Sequence, residues 1–204
     1  MAVPVGVYTK VPLAARFTVP FVGAATAVVS IMAGRTLRFL DAALPHAALV
    51  RAMPNTPASI GRGITVAVPN ARISAAQRTL VNALLSAVGR VEWIEDEALM
   101  DPVTALSGSG PAYVFLLAET MARAGRAAGL PSALADVLAR TTVAGSGELL
   151  HCSPLDAETL RQNVTSPGGT TAAALDVLMA EDGMQQLMTK AIATAARRSR
   201  ELAG

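Results

Sequence analysis

Cysteine occurs once, as Cys152, so no disulfide can form within the chain. That usage suits a reducing compartment, and a cytoplasmic protein is expected. His46 and His151 are the only histidines, and neither belongs to a His/Cys/Asp cluster at ligand spacing, so no metal site is expected. Aromatic residues make up 3% of the chain, lysine is confined to Lys10 and Lys190, and the arginines are scattered. A nucleic-acid binder needs a clustered basic face and stacking aromatics, so no nucleic-acid partner is expected. Charge is sparse too, at 16% with a net +2. One uncharged run, residues 17–34 between Arg16 and Arg35, borders on the length of a membrane span. It is interrupted by Thr18, Pro20, Gly23, Thr26, Ser30 and Gly34, and no basic cluster precedes it. It reads as a loop feeding a buried strand, with neither a membrane span nor a signal peptide expected.

What the chain does have is apolar residues, 52% of the total, enough for a buried core. Residues 1–20, with Pro4, Pro12 and Pro20, show no period. From residue 27 the pattern alternates. AVVSIMA (27–33), closed by Gly34, is a short β-branched run of the kind found in fully buried strands. TLRFLDAAL (36–44) places Leu37, Leu40 and Leu44 at helical spacing, with Thr36 as a cap. Strands are expected at 48–53, 63–69 and 89–94, with a helix from the Ser74 cap to about residue 87. Alternating strands and helices favour a sheet with helices packed on it. After Glu95-Asp96-Glu97 only helices are expected, over 112–128, from a Ser132 cap to about 150, and over 155–162, 171–180 and 184–202. The fold class is therefore α/β followed by all-α, with a boundary near residue 95.

Three segments carry chemistry. TALSGSGPAYVFLL (104–117) runs Ser107-Gly108-Ser109-Gly110-Pro111 into a helix. Pro111 is tolerated in a first turn, neighbouring N–H groups stay unpaired, and the helix dipole adds partial positive charge. Such a place stabilises a carboxylate or phosphate; it also serves as a plain capped turn. NVTSPGGTTAAAL (163–175) repeats the plan, with Gly168, Gly169, Thr170 and Thr171 opening a helix and hydroxyls that both donate and accept. The pair suggests a polar pocket for a small anion, against the alternative of two capped turns. RAMPNTPASIG (51–61) follows a strand, and Asn55 stands where ligands gather in α/β sheets, although Asn is common in Pro-rich turns without any function.

SIMAG (30–34), RAMPNTP (51–57), ALSGSGPAYVFLLAE (105–119) and VTSPGGTT (164–171), in that order and spacing, resemble the pyrroline-5-carboxylate reductase family over residues 27–204. The resemblance implies reduction of a cyclic imino acid to proline by hydride from NADPH or NADH. It implies a Rossmann-like domain, here residues 1–95, and a helical substrate-binding and dimerisation domain, here 96–204, assembled as a homodimer or larger homo-oligomer. It places the substrate carboxylate at Ser107, Gly108, Ser109, Gly110, Gly169 and Thr170. Thr171 matches the position that hydrogen-bonds the ring nitrogen. Ala33, Gly34, Met53, Pro54 and Asn55 would border the cofactor.

The sequence departs from the family at its start. A dinucleotide-binding fingerprint needs G-x-G-x-x-G/A between a strand and a helix. Gly61-Arg62-Gly63, Gly108-Ser109-Gly110 and Gly145-Ser146-Gly147 continue to Val66, Tyr113 and Leu150, and none completes it. The expectation is a Rossmann-like domain entered partway, with a long exposed sheet edge. The alternative is a catalytically silent fragment that acts as a helical dimerisation module.

Overall fold

The computed structural model describes residues 22, 23 and 25–203. The Pro-punctuated segment 1–20, and with it the start of the uncharged run, lies outside them. The chain divides into two compact units. One runs to Pro111 and takes up the residues from Ile192 onward; the other is Ala112–Ala191.

The first unit is built on four strands in the order β1-β2-β3-β4: β1 (Ala27–Ser30), β2 (Ala48–Met53), β3 (Gly63–Pro69) and β4 (Gly89–Trp93). β1 is parallel to β2 and β3 to β4, and these pairs are joined across helices α1 (Leu37–Ala43) and α2 (Ala75–Ser86). β2 and β3 are antiparallel, with Met53 opposite Val66. Only the short 3₁₀ turn Thr56–Ile60 lies between them, too little chain for a parallel crossover. The helix starts follow the sequence. Thr36 Oγ1 accepts from Phe39 N–H at 3.2 Å. Ser74 and Gln77 form a reciprocal capping box, at 3.2 and 2.9 Å.

β2 is buried along its whole length. Val50 and Ala52 face a cluster with Ala67 and Val81, the latter from α2. Leu49 packs with Leu40 and Ala47 on the α1 side, and Met53 packs with Val66, Val68 and Met100. At the far end of β2 a single side chain completes the backbone. Asn70 Oδ1 accepts Leu49 N–H at 3.0 Å, while its Nδ2 donates to Ala47 C=O at 3.0 Å.

Beyond β4 the chain turns through a 3₁₀ segment (Glu97–Leu99) into α3 (Met100–Val103), a π turn (Thr104–Gly108) and then α4 (Gly110–Ala127). A loop opening a helix is the sequence expectation for 107–110; the structure instead has a wide turn in a nearly continuous helical path. Pro111 explains the widening, since it has no N–H to return to the carbonyl four residues earlier. The first unit also holds the end of α8 (Met184–Ala203). Ser199 Oγ donates to Asp101 Oδ1 at 2.6 Å. Gly34, at φ +69°, brings its backbone so close to Leu202 that an added Cβ would lie 3.1 Å from the Leu202 carbonyl.

The second unit holds α5 (Ser132–Cys152), α6 (Ala157–Asn163), α7 (Thr170–Leu178) and the adjoining parts of α4 and α8. Ser132 does not cap α5; Pro131 occupies the cap and Ser132 is the first helical residue, without a capping side chain. α6 is capped by Asp156, which accepts Thr159 N–H at 2.7 Å. This bond and the one from the Thr159 side chain hold the Asp156 carboxyl below the ordinary aspartate range. Cys152 is exposed. Among the described residues no helix is long and apolar enough to cross a membrane.

Candidate functional site

Because β1 and β2 are parallel with Ser30 beside Arg51, their C-terminal ends reach the same edge of the sheet. Ala33 and Gly34 leave β1 there, and Pro54 and Asn55 leave β2. That edge is where α/β sheets bind ligands. Ala33 is exposed, Gly34, Pro54 and Asn55 are half-buried, and Met53 is buried. Asn55 closes the β2–β3 connection, its Oδ1 accepting Ile64 N–H at 2.9 Å. That bond fixes the amide, whose NH₂ group has no partner among the described residues. The edge therefore offers a fixed amide donor and a stiff proline ring. Among the described residues none forms a G-x-G-x-x-G/A turn.

The π turn comes to the same edge. Gly108 faces Met53 closely enough that an added Cβ would sit 3.6 Å from Met53 Sδ. Met100, fully buried, packs in the cluster of Met53, Val66 and Val68. The structure therefore brings together two segments that the sequence separates, Met53–Asn55 and Ser107–Gly110.

The turn's hydrogen bonds differ from the expected open cradle. Ser109 N–H is not unpaired; it donates to Thr104 C=O at 2.9 Å, the five-residue step of a π turn. Ser107 Oγ donates to Val103 C=O at 3.0 Å, which leaves its lone pairs to accept. A carboxylate drawing on these donors requires Ser107 to rotate.

Gly169, Thr170 and Thr171 lie in the second unit. Ser166-Pro167-Gly168-Gly169 make a turn closed by Gly169 N–H on Ser166 C=O at 3.1 Å. Pro at its second place and Gly168 at φ +68° at its third are the type II pattern. Gly169 is the N-cap of α7, and a Cβ there would collide with Ser166 Oγ at 2.5 Å. The first bond of α7 runs from Ala173 N–H to Gly169 C=O, so the N–H groups of Thr170 and Thr171 precede it. Thr171 is half-buried and Thr170 exposed, and neither hydroxyl has a partner among the described residues.

Sequence reasoning passed over one feature of this region. Arg51 is buried in β2, and its Nη1 donates to Glu97 Oε1 at 2.8 Å. The same oxygen accepts Leu37 N–H at 2.7 Å. A charge inside the apolar run ALVRAM was the available signal, since a buried cation demands a partner.

Known proteins place this arrangement. A family described as pyrroline-5-carboxylate reductase dimerisation matches residues 97–202, just over half of the chain. The pyrroline-5-carboxylate reductase of Synechocystis is 44% identical over 175 residues, which cover 86% of this chain and 65% of that protein. The Pseudomonas aeruginosa reductase is 44% identical over 177 residues, 86% of this chain and 64% of that protein. The chain thus spans about 65% of the length of these curated relatives. Among solved structures, a pyrroline-5-carboxylate reductase from Coxiella burnetii superposes with a TM-score of 0.88 at 34% identity, covering 94% of this chain and 72% of that one. The Plasmodium falciparum reductase with NADP bound gives 0.79 at 29% identity, covering 93% and 72%. The four-stranded, partly parallel sheet and the helical region that follows are shared with these proteins, and the chain belongs to the pyrroline-5-carboxylate reductase family.

Proposed function

We propose that the chain takes part in reducing 1-pyrroline-5-carboxylate to L-proline with NADPH or NADH as hydride donor. The observation that carries this reading is the contact of Gly108 with Met53, which seats a carboxylate-binding turn beside the nicotinamide edge of the sheet. In this reading Met53, Pro54 and Asn55, with Ala33 and Gly34, hold the nicotinamide ring, and the bound cofactor supplies the hydride. Ser107, Gly108, Ser109 and Gly110, with Gly169 and Thr170, bind the substrate carboxylate through backbone N–H groups and hydroxyls. Thr171, whose hydroxyl has no partner among the described residues, hydrogen-bonds the ring nitrogen. A threonine hydroxyl is a poor acid, so it orients the imine or relays a proton to nitrogen as the neighbouring carbon is reduced. Residues 96–204 form the substrate-binding and dimerisation part, residues 1–95 belong to the dinucleotide-binding part, and the chain assembles as a homodimer or larger homo-oligomer. The single exposed cysteine accords with cytoplasmic residence.

A second reading is a helical dimerisation module without catalysis. It is supported by the exposed apolar residues of the second unit. One assay separates the two. The purified chain is incubated with pyrroline-5-carboxylate and NADPH or NADH, and proline is measured. Turnover that falls about 10- to 100-fold in Thr171→Ala supports the reductase. A folded chain that forms no proline, beside an active full-length relative, supports the module.

A further inference from the structure

Arg51 is not among the residues assigned to cofactor or substrate, yet the path to the π turn starts at its partner, Glu97. Its side chain is 3% exposed. Nη1 is bound to Glu97, while Nε and Nη2 are buried without partners among the described residues. Glu97 Oε1 also accepts the first N–H of α1, from Leu37. One carboxylate oxygen therefore ties β2, the start of α1 and the start of the segment that leads to the turn. Three residues on, Met100 is locked into the cluster of Met53, and Gly108 then lies against Met53 itself.

A guanidinium buried with two unmatched donors is an unfavourable way to fill a strand, and an apolar side chain of similar volume is often at least as stable. What Arg51 adds is a directed charge that fixes the place of the Glu97 carboxylate. We propose that Arg51 is a positioning residue: through Glu97 it sets residues 97–109 on the sheet and so holds the turn Thr104–Gly108 against Met53. The inference rests on reading Met53–Asn55 and Ser107–Gly110 as one site, but its test needs neither ligand nor turnover.

The test is amide hydrogen exchange, read by NMR on the full chain. Ser109 N–H, bonded to Thr104 C=O, reports the turn; Asn70 N–H, bonded to Leu49 C=O, and Gly63 N–H, bonded to Val88 C=O, report the sheet. Glu97→Gln keeps an acceptor for Leu37 N–H and removes the charge. It is expected to speed Ser109 exchange roughly tenfold, with Asn70 and Gly63 within about twofold. Should that variant not fold, Arg51→Met/Glu97→Gln removes both charges, and the same selective loss at Ser109 is expected. Unchanged Ser109 exchange in a folded variant overturns the proposal. So does a parallel rise at Ser109, Asn70 and Gly63, which would make the pair a support of the fold alone. The reductase reading is judged separately, by proline formation and Thr171→Ala.

Discussion

Strand β2 buries all six of its residues, whereas the 18-residue helix α4 buries one, Ala122. The contrast extends to the units that hold them. In the first, Val50, Leu49, Val68 and Met100 are sealed between the sheet and its own helices. In the second, the buried residues are the alanines Ala122, Ala135 and Ala139, while Phe115, Val137 and Val177 are 68%, 61% and 72% exposed. Composition does not separate the units, for both are rich in aliphatic residues. The difference is in cover. The sheet's faces are closed by crossover helices, but the second unit's helices touch through small residues, as where Leu130 and Ala135 crowd Gly125. Large apolar side chains left outside in this number mark an interaction surface, consistent with a family defined by dimerisation.

The sharpest way to break the comparison is to charge that surface. Phe115→Glu with Val137→Glu is expected to weaken self-association at least about 100-fold, as sedimentation equilibrium would show. If the unaltered chain is already a monomer, the exposed side chains need another explanation. Stability gives the next largest effect. In the charged background, Leu49→Ala is expected to lower the unfolding free energy by about 2–5 kcal/mol, and Leu149→Ala by less than about 0.5 kcal/mol. Urea titrations of both variants decide the matter, and equal losses would erase the distinction. The smallest effect concerns Asp156. Its carboxyl is held low in the folded chain, chiefly by Thr159 N–H, so its contribution is present above the ordinary aspartate pKa and lost as pH falls through the folded value. Order in α6 should therefore weaken below about pH 4, and Asp156→Asn should flatten that dependence when Thr159 is followed by NMR.

Much of the fold was legible because period and punctuation are local. The strands at 48–53 and 63–69 fall where the short apolar runs are, and Thr36 and Ser74 cap as their types suggest. The antiparallel step between β2 and β3 was not legible from apolar pattern, which is blind to direction; only the shortness of the connection carries it. Ser107–Gly110 are small residues that the sequence places before a helix, but Gly and Ser permit both an open loop and a π turn. The missing carbonyl partner at Pro111 selects the latter. The Arg51–Glu97 bond joins residues 46 apart, beyond the reach of any local period.

The first unit is discontinuous in the chain, and this bears on how it is made. The last described strand of its sheet ends at Trp93, but Gly34 waits for Leu202 and Asp101 for Ser199. On a ribosome adding about 5–20 residues per second, the intervening Ala112–Ala191 take on the order of ten seconds to emerge. Through that interval the nascent sheet unit is one helix short. Translation that halts before Ile192 would release a sheet whose Gly34 flank lacks Leu202.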